Sequence, residues 1–222
     1  AADCPMAHMA SVKTIEEVRQ QYDDVAVVCY INSTTELKAA SDVCVTSSNA
    51  ARIVKKLPNK TIFFTPDKNL GYYVSTQVPE KQFILNDGFC PRHDSIRTDV
   101  VQAAKKKHPQ ALFLAHPECP KEVLALADYI GSTSGIIQYA SASPAQEFII
   151  GTENGVLYEL QTRNPEKVFY PAMEDQYCIN MKKVTLEKVR NCLRDETNEV
   201  HVDAELSRQA VRALDNMLKL AQ

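Results

Sequence analysis

Asp42-Val43-Cys44-Val45-Thr46-Ser47-Ser48-Asn49 and Asp128-Tyr129-Ile130-Gly131-Ser132-Thr133-Ser134-Gly135 stand 86 positions apart (42 and 128) and run from an acid to a hydroxyl-rich turn in the same order. The same offset carries Cys4-Pro5 onto Cys90-Pro91, and Tyr30-Ile31-Asn32 onto His116-Pro117-Glu118. It also carries Ile62–Asp67 onto Phe148–Glu153. Several ungapped matches at one offset define a repeated unit. A further step lands near Cys178, after two extra residues.

Within a unit, helical and strand periodicities alternate, the pattern of an α/β domain with a parallel sheet. Thr14-Ile15-Glu16-Glu17 reads as a capping box opening a helix to about Tyr22, followed by a buried strand Ala26–Tyr30. Ser33-Thr34-Thr35-Glu36 reads as a second capping box, leading to the strand Val43–Val45. The Thr46–Asn49 turn opens a helix carrying Ala51, Ile53 and Val54, and Thr61–Thr65 is the next strand. The second unit repeats this, with a strand Ala111–Ala115, Cys119 as a cap and Pro120 at the first helical position. Beyond Cys178 the pattern predicts a helix from Thr185, a strand Glu199–Val202 and a helix from Asp203 with Leu206, Ala210, Leu214 and Met217 on one face. The expected fold class is α/β, a pseudo-threefold repeat of three-layer αβα units with short parallel sheets. The units are 1–89, 90–177 and an incomplete 178–222, whose remaining roughly 75–85 residues the repeat places upstream.

Composition narrows the function classes. An apolar fraction of 45% supplies a core. A net charge of −3 gives no basic field for nucleic acid. The longest apolar stretch, Val25–Ile31, is far short of the ~18 residues of a membrane span. Seven cysteines, without a charged-then-apolar leader, read as free thiols in a reducing compartment.

Ligands gather where parallel strands end and loops pass into helices. Cys4, Cys90 and Cys178 each follow the last strand of a unit, so threefold symmetry brings their sulfurs together. Three thiolates can hold a [4Fe–4S] cluster and leave one iron open as a Lewis acid. Ordinary buried cysteines are the bland alternative, and zinc is disfavoured without paired C-x-x-C spacing. Cys29, Cys44, Cys119 and Cys192 lack the register and read as structural. The two hydroxyl turns suit a phosphate or carboxylate, or simply cap helices. Glu118 reads as a general base whose pKa partial burial raises, and His116 as a proton donor or anion partner. Tyr30 and Asn32 suit substrate orientation. Arg92, His93 and Arg163 read as structural or rim groups.

The segments Ala115–Pro120, Gly131–Gly135, Gly151–Gly155, Cys178-x-x-Met181-Lys182, Tyr30–Asn32, Thr46–Ala50 and Gly88-x-Cys90-x-x-His93 together resemble quinolinate synthase over nearly the whole chain. The resemblance implies an enzyme of NAD biosynthesis condensing iminoaspartate with dihydroxyacetone phosphate, with a [4Fe–4S] cluster on Cys4, Cys90 and Cys178. It implies Glu118 as acid/base, with His116 and Tyr30 beside it in catalysis. Tyr30, Asn32, His116 and Glu118 would also contact substrate, with Ser47, Ser132 and Thr133 on carboxylate or phosphate groups and Met181 beside the cluster. It further implies a cytoplasmic location, a functional link to L-aspartate oxidase, and no nucleic-acid or membrane partner. The family's N-terminal domain is absent from this sequence, so the resemblance leaves open a chain inactive by itself. The alternative is a non-catalytic metal or iron–sulfur module, which would have no need of Glu118, His116 and the hydroxyl turns.

Overall fold

The stretch Val25-Ala26-Val27-Val28-Cys29-Tyr30 is buried at every position. A strand apolar on both faces belongs inside a parallel sheet covered by helices on both sides. The computed structural model, which describes residues 2–222, places it there. It is β1 (Val25–Tyr30), joined by β2 (Val43–Val45), β3 (Thr61–Thr65) and β4 (Gln82–Leu85) in the order β2-β1-β3-β4. β5 (Leu112–Ala115), β6 (Tyr129–Ile130), β7 (Glu147–Gly151) and β8 (Val168–Pro171) form a second sheet in the equivalent order β6-β5-β7-β8. All pairings within both sheets are parallel. The α/β class with repeated units is therefore observed, and β3 and β4 recur in β7 and β8 at the same 86-residue offset, residue for residue.

Each sheet buries both faces. Val28, Ile62 and Phe64 enter one core with Ile53 and Leu70. Their strand neighbours Val27, Cys29 and Phe63 enter another with Ile15, Leu37 and Ala213. Large side chains such as Phe64 stabilise the fold by about 1.5–3 kcal/mol each on full burial.

A polar scaffold recurs with the strands. Asp42 accepts the Val27 N–H at 2.7 Å and pairs with Arg19 at 3.0 Å. Asp128 accepts the Phe113 N–H at 2.7 Å and pairs with Lys105 at 3.2 Å. Lys81 donates to the Leu57 carbonyl at 2.6 Å, and Lys167 to the Ser143 carbonyl at 2.7 Å. Each pair sits 86 positions apart, so the duplication extends to the hydrogen bonds that tie helices to sheet.

Several local expectations shift. The first long helix is Val12–Gln21, capped by Ser11, whose hydroxyl accepts the Thr14 N–H at 3.1 Å. Thr14 is thus inside the helix: Ser11 lies extended one turn earlier and satisfies the orphan donor first. Thr34, not Ser33, caps Thr35–Ala40, because the Ser33 hydroxyl is engaged with the Cys29 sulfur at 3.0 Å. Pro120 is the cap of Lys121–Leu124, which leaves Cys119 outside that helix. The expected Ala111–Ala115 strand begins at Leu112. Glu199–Val202 forms no strand: it alternates correctly but pairs with no edge, and Val200 is 81% exposed.

The two helices after Cys178 differ. Leu186–Asp195 starts at Thr185 as expected but buries no residue, and Leu186 and Leu193 face solvent. Ala204–Leu220 lies on the first sheet's layer, with Ala213 buried and Asn216 donating to the Asp42 carbonyl at 2.8 Å. Among the described residues, no helix is long and apolar enough to cross a membrane.

Candidate active site

Cys4 and Cys90 each occupy an N-cap position followed by proline, and neither sulfur caps its own helix. A serine there would spend its side chain on the helix N–H groups. The cysteine sulfur stays available. Cys178 follows β8 through a short loop. All three line a single cavity of about 960 Å³ together with Tyr30, Asn32, His93, His116, Glu118 and Met181. Each is half-buried and free of disulfide. Burial pushes the Cys4 thiol up, and the neighbouring Cys90 adds to it. Each of the three backbone N–H groups donates to a carboxylate: Cys4 to Asp3 at 2.8 Å, Cys90 to Asp67 at 3.1 Å and Cys178 to Glu153 at 3.2 Å.

The floor of the cavity is ionic. His93 Nδ1 lies 2.6 Å from Glu118 Oε2, 3.2 Å from the Cys90 sulfur, and His93 Nε2 2.8 Å from the Thr152 hydroxyl. His93 also stacks on His116, with ring centres 4.6 Å apart. Burial opposes a charge on His93, but the Glu118 carboxylate and the Cys90 sulfur together outweigh it and raise the imidazole pKa. Burial likewise opposes a charge on Glu118, and His93, with smaller help from His116 and Tyr30, outweighs it, so the carboxyl is held below its ordinary value. His116 has no such partner at close range. Burial pushes it down to about 4 despite Glu118, 3.7 Å away. The Glu118 backbone N–H donates to His116 Nδ1 at 3.4 Å, which leaves the neutral ring's proton on Nε2. Burial, then the Glu118 charge, raises the Tyr30 phenol well above its usual value, so it stays protonated. The expectation of a raised Glu118 pKa is therefore reversed, because His93 supplies a counter-charge that a sequence does not display.

A second cavity of about 520 Å³ adjoins the first at Thr133 and Glu159. Thr46, Ser47, Ser48, Ser132 and Ser134 line it, with Arg163 at its wall paired to Glu159 at 2.5 Å. Ser132 does cap Thr133–Ala142, accepting the Gly135 N–H at 3.2 Å, whereas the Ser47 hydroxyl is not used that way.

Every site residue expected from sequence thus lines one of two adjoining cavities. Met181 is open to solvent, at 59% exposure, and Asn32 and Thr133 are exposed as well. His93 is the residue that sequence reasoning set aside. Its repeat equivalent is Ala7, so register gave no support, yet the Cys90-x-x-His93 spacing of one helical turn would have placed both groups on one face.

The sequence profile of the family described as Quinolinate synthetase A protein matches residues 1–219. The chain belongs to the quinolinate synthase family. Quinolinate synthase of Caldicellulosiruptor saccharolyticus is 50% identical over 220 residues, covering 99% of this chain and 73% of that protein. Quinolinate synthase of Fusobacterium nucleatum is likewise 50% identical over 220 residues, with 99% and 73% covered. That of Clostridioides difficile is 48% identical over 221 residues, with 100% and 73% covered. The chain therefore spans about three quarters of these quinolinate synthases. A metal-binding group also fits the family: the ligand atoms of Cys90, His93 and Glu118 lie within 4.8 Å of one another.

The donor chemistry tests which metal group suits the site. His93 Nδ1 and Glu118 Oε2 already face each other as an ion pair at 2.6 Å. The Cys4, Cys90 and Cys178 thiols line the same cavity, and none is bridged. Three thiolates on one cavity are a donor set that an iron–sulfur cluster can use.

Proposed function

We propose that this chain condenses iminoaspartate with dihydroxyacetone phosphate to give quinolinate, phosphate and water, around a [4Fe–4S] cluster held by Cys4, Cys90 and Cys178. The observation that carries the reading is the convergence of those three sulfurs with the His93–Glu118 ion pair on one cavity. A cluster with three protein ligands supplies an open iron that polarises a substrate oxygen or nitrogen.

The chain's own groups would do the rest. Glu118 Oε2 is engaged by His93, while Oε1 is buried and has no partner among the described residues. An orphaned carboxylate oxygen on a cavity wall is placed to take a substrate proton and return it. His116 Nε2–H, neutral and unable to act as a competing cation, would donate a hydrogen bond to a substrate oxygen. The Tyr30 phenol and Asn32 amide would orient the substrate. The hydroxyls of Ser47, Ser132 and Thr133 would receive its phosphate or carboxylate groups, with Met181 closing the wall beside the sulfurs. By the same reading the partners are small molecules. An L-aspartate oxidase is the supplier of iminoaspartate, and the cytoplasm is the compartment.

The test is anaerobic incubation of the protein with ferrous iron and sulfide, then assay with both substrates. About four irons per chain and a brown colour are expected, with quinolinate as product. Glu118→Gln should keep the iron and lose the product. Uptake of one zinc without sulfide would overturn the cluster, and normal turnover by Glu118→Gln would overturn its role.

A further inference from the structure

Asp67 and Glu153 occupy the same position of the two units, 86 residues apart, each just beyond the third strand. Each accepts the backbone N–H of the site cysteine that opens the next unit: Asp67 Oδ2 from Cys90 at 3.1 Å, Glu153 Oε1 from Cys178 at 3.2 Å. Each uses its other oxygen on a following helix. Asp67 Oδ1 accepts the Leu70 N–H at 2.8 Å, and Glu153 Oε2 accepts the Gly155 N–H at 2.8 Å. Cys178 is two residues further from its acid than Cys90 is, and the second unit carries the acid that is one methylene longer.

We propose that Asp67 and Glu153 are repeated positioning residues that latch the cysteine turns to the third strand, so that the sulfurs are held in place for an iron–sulfur cluster. This rests on the cluster reading above. Both oxygens of each carboxylate are acceptors, so a carboxamide cannot substitute. Its NH₂ would face either the cysteine N–H or the helix N–H, and one of the two bonds is lost. The Asp3 bond to Cys4 is exposed and made by the preceding residue; it is not part of the repeat. Lys182 lies 3.2 Å from Glu153 Oε1 and shares that oxygen, so the charge of Glu153 has a partner of its own.

The experiment uses the protein reconstituted with ferrous iron and sulfide, and follows the decay of its visible absorption in a ferrous chelator. Partners that hold metal ligands in place are worth roughly 10–100-fold in metal affinity. Glu153→Gln and Asp67→Asn should each lose iron about tenfold faster than the unaltered protein, while Lys182→Met stays within about twofold. Thermal unfolding of the iron-free forms separates the latch from a general loss of fold, and Glu153→Gln should leave it unchanged. Wild-type iron release by a folded Glu153→Gln, with an unaltered spectrum, would overturn the proposal. Failure of the unaltered protein to take up iron and sulfide would instead overturn the cluster reading itself.

Discussion

The two sheets share strand order, the boundaries of their last two strands and even the acids that tie strand to helix, yet they differ in the side chains that follow the first strand of each. At the end of the first strand, Tyr30 and Asn32 in one unit face His116 and Glu118 in the other. Only the second pair brings an imidazole and a carboxylate, and that carboxylate has a counter-ion, His93. The repeat thus keeps the frame and varies the rim: on the function proposed above, the first unit would orient substrate and the second would move protons.

That division is open to attack at its strongest point first. Glu118→Gln should lower kcat by about 10²–10⁴-fold, whereas Asn32→Ala should act mainly on KM and leave kcat within about tenfold. Equal losses in kcat from the two would show that both units contribute chemistry. In the frame, by contrast, matched substitutions should behave alike. Phe64→Ala and Ile150→Ala, at the same repeat position and both fully buried, should cost about 3–5 and 2–5 kcal/mol in denaturant unfolding. Asp42→Ala and Asp128→Ala each strand one sheet N–H and should cost about 1–3 kcal/mol. A large difference between them would mean that one sheet depends on its acid more than the other. The smallest effects belong to Arg19→Met and Lys105→Met, whose half-exposed ion pairs should be worth under about 1 kcal/mol each.

Much of this was legible in the sequence for a physical reason. Strands apolar on both faces, hydroxyl turns and Cys-Pro steps are local signals, and a fixed offset made them additive. The three cysteines, Glu118 and the Ser47 and Ser132 turns could be found that way. Where the reading slipped, a competition decided the outcome. Ser11 outbid Thr14 for a helix start, and Thr34 took the cap because Ser33 was drawn to Cys29. Glu199–Val202 had a strand's alternation but found no edge to join. His93 lacked a repeat partner, and with it went the sign of the Glu118 pKa, which depends on a neighbour 25 residues away in sequence and 2.6 Å away in space. The Arg19/Lys105 and Lys81/Lys167 correspondences were present in the alignment but chemically unremarkable until their acceptors were seen.

The spacing of the three sulfurs also bears on timing. They stand at positions 4, 90 and 178, so no short peptide holds two of them. At about 5–20 residues per second, the last emerges tens of seconds or less after the first, and both sheets must form before the three can meet. Any metal group they share is therefore a late addition to a nearly finished molecule. Its loading reports on the completed fold and cannot guide it.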